Sequence, residues 1–121
     1  MQTDELLDLI KKGESSTVQF KERAPHPDSL AHEIIAFSNS KGGIIVFGVN
    51  DKTGAVNGLT FAEIQQLNQQ IVNAASQKVY PPVFLTTETI VPGEQAVVIV
   101  SIPEGAYKPY KDSNGTIRKK T

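Results

Sequence analysis

The sequence predicts an α/β (α+β) domain, a mixed β-sheet of about five to six strands with three helices packed on it. Three observations carry that expectation. The order of periodic segments places helices between and before strands, which suggests helices layered on a mixed sheet. One run, Ile44-Ile45-Val46-Phe47-Gly48-Val49, is apolar on both faces and rich in β-branched residues, as a central strand covered on two sides must be. The chain has 121 residues, 39% hydrophobic and 21% charged, which suits one self-sufficient core and excludes the composition of a disordered chain.

Each element has its own warrant. Residues 4–12 set Leu6, Leu7, Leu9 and Ile10 at helical spacing, with Asp4 and Glu5 in the first turn and Gly13 where a C′ glycine belongs. Thr17 to Lys21 alternates Val18 and Phe20 with polar neighbours, a half-buried strand ended by Pro25 and Pro27. Asp28 or Ser29 is expected to cap a second helix over Leu30, Ile34, Ile35 and Phe37, with Asn39 to Gly43 breaking it before the central strand. Asp51 to Gly54 make a turn, and Thr60 caps a third helix carrying Ile64, Leu67, Ile71, Val72 and Ala75. Pro81 and Pro82 then open two strands, Val83 to Ile90 and Ala96 to Ile102, joined as a hairpin through Pro92-Gly93. Asn114-Gly115, flanked by Tyr110 and Ile117, predicts a last hairpin.

Composition removes several classes of function. Without cysteine there is no disulfide, thiolate metal site or cysteine nucleophile, and a reducing cytoplasm is the expected compartment. No apolar run approaches the roughly 18 residues of a membrane span, and the acidic, periodic start lacks the pattern of a signal peptide. The formal net charge of −1 hides an asymmetry. From Lys108 onward, Lys108, Lys111, Arg118, Lys119 and Lys120 face Asp112 alone, so the tail is net +4 and the rest is acidic.

Candidate chemistry lies in three places. Asn39-Ser40-Lys41-Gly42-Gly43 joins a helix end to the central strand, and its glycines could let successive N–H groups converge on a phosphate or could simply turn the chain. Neither G-x-x-x-x-G-K-[ST] nor G-x-G-x-x-G occurs, so ATP hydrolysis by this chain is not expected. Glu14, Gln19 and Glu22 surround the first strand and Asp51 follows the central one, a set that could meet around metal ions for phosphodiester cleavage or be ordinary surface. His26 and His32 have no i, i+4 histidine partner and point to no metal site. Tyr107-Lys108-Pro109-Tyr110-Lys111 interleaves rings with ammonium groups, a pattern able to stack bases and hold phosphates, or a basic edge that resists aggregation.

Several fragments then coincide. Glu14-Ser15 with Val18-Gln19-Phe20-Lys21, Ile35-Ala36-Phe37-Ser38-Asn39, Gly42-Gly43, Phe47-Gly48-Val49-Asn50-Asp51, Gly58-Leu59, Pro81, Ile102-Pro103, Lys108-Pro109-Tyr110 and Arg118 resemble, in order and spacing, the Schlafen AlbA-type (AlbA_2) DNA-binding domain. The resemblance runs from about Gly13 to Lys119. It implies a Schlafen AlbA-like fold and one domain over residues 1–121, excised from the front of a longer bacterial transcriptional regulator or divergent AAA-type ATPase. A downstream ATPase or winged-helix region is the implied neighbour. It also implies a binding module rather than an enzyme, with no cofactor or metal, in which Lys21, Lys41, Gly42, Gly43, Lys108, Tyr110, Lys111, Arg118 and Lys119 form one cationic face for DNA or RNA phosphates. Some relatives are ribonucleases using three carboxylates. The matching positions here are Glu14, Gln19 and Asp51, and the neutral Gln19 removes a charge that a divalent ion would need. A third reading is a homodimer or docking domain whose shared surface is the apolar segment Val97 to Ile102.

Overall fold

The computed structural model describes residues 1–120. Its elements run α1 (Thr3–Lys12), β1 (Val18–Lys21), α2 (Pro27–Ser38), β2 (Gly43–Phe47), α3 (Phe61–Gln77), β3 (Thr86–Ile90) and β4 (Val97–Ile102). The strands form one mixed sheet in the order β1-β2-β4-β3. β1 lies parallel to β2 with Val18 beside Ile44, and β4 is antiparallel to both β2 and β3. The α/β class and the three helices are as the sequence predicts. The described sheet has four strands rather than five or six.

Two apolar layers follow from the period-two alternation of strand side chains. On one face Ile45, Phe47, Val98, Val100 and Ile102 pack against Leu30, Ile34, Ile35 and Phe37 of α2 and Leu67, Ile71 and Ala74 of α3. On the other, Phe20, Val46, Val97 and Ile99 pack against Leu6 of α1. The helix α1 is thinly anchored, with Leu6 its one fully buried residue, whereas the α2 and α3 side holds most of the core. Phe37, wholly buried at the end of α2, is worth about 3–5 kcal/mol against alanine by the cost of such cavities.

Local chemistry sets the boundaries. Thr60 caps α3 as expected, its Oγ accepting the Glu63 N–H at 3.2 Å while the Glu63 carboxylate accepts the Thr60 N–H at 2.9 Å. The cap of α2 differs from expectation: His26 takes that place, its Nδ1 accepting the Asp28 N–H at 3.1 Å, because Pro27 occupies the first helical position, where its fixed φ suits the helix and its missing N–H costs nothing. The central strand stops at Phe47, since Gly48 turns to φ +104°. Val83 to Leu85 leads into β3 without joining the ladder, so the strand starts at Thr86. The last predicted hairpin is a single bridge from Lys111 to Ile117. It has no ladder because Asp112 organises a tight turn instead, its carboxylate accepting the N–H groups of Asn114 and Thr116 at 2.9 and 3.0 Å. Val97 to Ile102 is correspondingly no shared surface: β4 sits between β2 and β3 and is buried on both faces.

Candidate nucleic-acid interface

The residues after β4 form an arm that returns across the end of α2, and three consecutive polar residues hold it there. The Ser38 hydroxyl donates to the Pro103 carbonyl at 3.2 Å, and its own carbonyl accepts the Gly105 N–H at 2.9 Å. Buried Asn39 accepts the Tyr110 N–H at 2.6 Å and donates to the carbonyls of Tyr110 and Arg118 at 2.8 and 2.7 Å. Ser40 accepts the Lys120 N–H at 2.8 Å. A buried amide bonded at both ends satisfies backbone groups that the arm could not pair in a ladder of its own. Sequence reading treats Asn39 as a helix breaker, and nothing in its local pattern reveals partners about seventy residues away.

The arm brings cations to the C-terminal end of α2. Lys41 and Lys120, with Ser16, Thr17 and Ser40, line a shallow depression of about 200 Å³. Lys120 also lines a neighbouring depression of about 400 Å³ with His32, Glu33, Ala36, Arg118 and Lys119. The Lys120 ammonium lies 4.8 Å from the centre of the Phe37 ring, a cation–π contact that fixes its position. Four cations thus share one ridge, with the Glu33 carboxylate beside them. The Arg118 Nε is buried and has no protein partner among the described residues, so a donor is left unsatisfied at this ridge.

Other predicted contributors are placed differently. Lys21 stands on the last rung of β1, beside Phe47. It is about 10 Å of strand from the end where Lys41 lies. Lys108 is paired with Glu104 at 2.7 Å, and Lys108 followed by Lys41 holds that carboxyl below its usual range. Tyr110 is buried, its ring against Gly105 and its hydroxyl accepting the Tyr107 N–H at 3.1 Å, so it cannot stack a base. Tyr107, 75% exposed, is the free ring of the pair. Lys111 is exposed, its backbone bridged to Tyr80 beyond the end of α3.

The glycines do not form a phosphate cradle. The Gly42 N–H is used by the Phe37 carbonyl at 2.8 Å, and a Cβ at Gly42, whose φ is +73°, would stand 2.6 Å from the backbone of Ile102 and Glu104. A Cβ at Gly43 would stand 2.5 Å from the Thr17 carbonyl and 2.6 Å from the Phe37 ring. Both positions permit close approach of backbone to backbone, and Lys41 alone of the three is exposed.

The three positions matched to nuclease carboxylates do not converge. Glu14 accepts the Phe20 N–H at 2.9 Å, an N–H turned away from β2 on the outer edge of β1. Gln19 shares the row of Ile45 on the face covered by α2. Asp51 is exposed in the turn beyond β2, where the neighbouring Asn50 side chain bonds to Glu22. Among the described residues no three of His, Asp and Glu are grouped to hold a metal ion. His26 caps α2, and His32 faces buried Asp112 at 3.5 Å. The Thr116 N–H is the main cause that lowers the Asp112 pKa, with help from Asn114, His32 and Arg118 against the opposing effect of burial. No described helix is long and apolar enough to cross a membrane.

Comparison with known proteins agrees with this architecture. The N-terminal domain of a RecG-related helicase-like protein from Nitrosomonas europaea, solved by NMR, superposes with a TM-score of 0.72 at 18% identity, over 98% of this chain and 88% of that one. The DIP2311 protein from Corynebacterium diphtheriae gives a TM-score of 0.60 at 22% identity over 99% of this chain, which spans 25% of that longer one. At these identities the likeness speaks for the fold. No curated protein matches the sequence. The family model "Schlafen, AlbA_2" matches residues 14–121, and the chain therefore belongs to the Schlafen AlbA_2 family.

Proposed function

We propose that the chain is a nucleic-acid-binding module that holds the phosphate backbone of DNA or RNA on the ridge formed by Lys41, Arg118, Lys119 and Lys120. The observation that carries this reading is the convergence of Lys41 with three cations from the far end of the chain, seated by Ser40 and Asn39. Phosphate oxygens would pair with these cations, and exposed Tyr107 offers a ring to an unpaired base. On this reading the module is not itself an enzyme. It serves a transcriptional regulator whose ATPase or winged-helix region follows it, as the RecG-related neighbour carries such a domain at its N-terminus.

Fluorescence anisotropy with labelled duplex DNA and with RNA tests the idea. Four phosphate contacts give a salt slope of about −3.6 on B-DNA, so affinity should fall roughly a hundredfold between about 50 and 200 mM salt. Absence of binding at tens of micromolar chain in about 50 mM salt would defeat the proposal, as would unchanged binding after Arg118→Gln and Lys119→Gln together.

A further inference from the structure

The cationic ridge has a neighbour whose charge is not fixed. His32 stands in the middle of α2 and lines the same depression as Arg118, Lys119 and Lys120. Its side chain is 37% exposed, and its Nε2 lies 3.5 Å from Oδ2 of Asp112. The two oxygens of that carboxylate have separate tasks. Oδ1 accepts the N–H groups of Asn114 and Thr116 and so holds the turn, which leaves Oδ2 to face the imidazole. The ring is thereby oriented where the arm meets α2.

Charges surround His32 from each neighbouring element. On α2 itself Asp28 stands one turn earlier, paired at 3.0 Å with Lys78 at the end of α3, and Glu33 lines the depression. The turn supplies Asp112, and the arm supplies Arg118, Lys119 and Lys120. Asp112 stays ionised throughout the range in which histidines titrate, because the Thr116 N–H above all holds its carboxyl below the usual range. An imidazolium here is favoured by the carboxylates and opposed by the arm cations. A phosphate seated among those cations offsets the opposition and adds an attraction of its own.

We propose that His32 is a fifth cation of the phosphate-holding surface, one that charges as nucleic acid binds, so that binding takes up a proton and tightens as pH falls. This rests on the nucleic-acid reading of the ridge and adds its regulation. Linkage fixes the sign, since a surface that holds more protons with its ligand than without it must bind that ligand more tightly in acid. One added unit charge about 6 Å from a phosphate strengthens the contact about threefold at the dielectric constant of water, and more where water is excluded. Histidine is the only side chain whose ordinary titration falls between about pH 5 and pH 8, and the chain has two of them. The other, His26, caps the far end of α2, about 9 Å of helix away, and lines neither depression of the ridge.

Anisotropy of the whole chain with labelled duplex DNA and RNA, at constant ionic strength from about pH 8 to about pH 6, is the test. Affinity should rise about threefold or more over that range. His32→Gln should bind as the parent does at about pH 8 and lose the rise. His26→Asn, which keeps a capping side chain, should retain it. An NMR titration of the two imidazoles in the parent needs no variant: with saturating nucleic acid the His32 ring should hold its proton to higher pH, and the His26 ring should not. A flat affinity across the range would overturn the inference while leaving the ridge a nucleic-acid site, as would an unmoved His32 titration. A rise that persists in His32→Gln would place the coupling elsewhere and overturn it too. Absence of binding at every pH would sink both readings.

Discussion

The two outer strands of the sheet face the same problem, a row of backbone groups without a neighbour, and meet it with opposite chemistry. At β1 the Glu14 carboxylate takes the outward Phe20 N–H, and the polar end of α2 next to it anchors an arm bearing three cations. At β3 the outer backbone groups have no ladder partner, the Glu88 carboxylate holds the Met1 ammonium at 2.7 Å, and an uncharged helix and an exposed phenylalanine lie alongside. A blunted, charged edge suits a polyanion and repels a second strand, whereas a bare neutral edge invites one. The contrast gives the two sides of one small domain different chemistry.

The comparison breaks first at Asn39. Replacing it by alanine removes three hydrogen bonds and strands the buried N–H and C=O of Tyr110. A loss of about 3–4 kcal/mol is expected in urea unfolding, together with loss of nucleic-acid binding as the arm comes away.

Gly43→Ala probes the packing beneath the ridge. The added methyl meets the Thr17 carbonyl and the Phe37 ring, and overpacking of this kind costs about 1–3 kcal/mol in the same unfolding measurement. If Gly43 instead served a phosphate cradle, the substitution would weaken binding with stability unchanged.

Charge removal should have smaller effects, on binding alone. Lys119→Gln should lower the salt slope by about one and leave stability within about 0.5 kcal/mol. Lys21→Gln, at the other end of β1, should leave the slope unchanged, and a drop equal to that of Lys119→Gln would mean that the interface extends along the whole strand.

The smallest effect is a pH dependence. The folded Asp112 carboxyl titrates below its ordinary value of 3.8, first because of the Thr116 N–H. Its stabilising contribution is therefore fully present above about pH 4 and is lost as pH falls through the lowered folded value. Asp112→Asn should be less stable than the parent at neutral pH, and the two unfolding curves should draw together in acid. A gap that persists under acid conditions would assign the turn to side-chain shape rather than charge.

Much of the fold was legible residue by residue. The double-faced apolar run of β2, the Thr60 capping box and the Gly13 helix stop are local signals, and each stands where its residues predict. Lengths and edges were less legible, because a strand exists only where a neighbour pairs with it: Val83 to Leu85 has strand-like residues but no ladder partner, and Tyr110 to Ile117 is gathered by the Asp112 turn into one bridge. The site was legible as a set of cations but not as a place. Tyr110 and Lys111 are adjacent in sequence, yet one is buried against Gly105 and the other faces solvent.

By itself the sequence determined the class of fold, the order of helices and strands, the basic tail and the family, because these rest on periodicity, composition and short motifs that act over a few residues. Tertiary structure alone decided that Lys41 joins Arg118, Lys119 and Lys120, that Lys21 stands apart, that Gly42 and Gly43 are spacers, and that β3 lies at an edge of the sheet. Those outcomes depend on hydrogen bonds and packing between residues far apart in the chain, about eighty positions for the bonds from Asn39 to Arg118 and from Ser40 to Lys120. The energy of such contacts comes from which groups meet, and no local stretch of chain encodes that meeting.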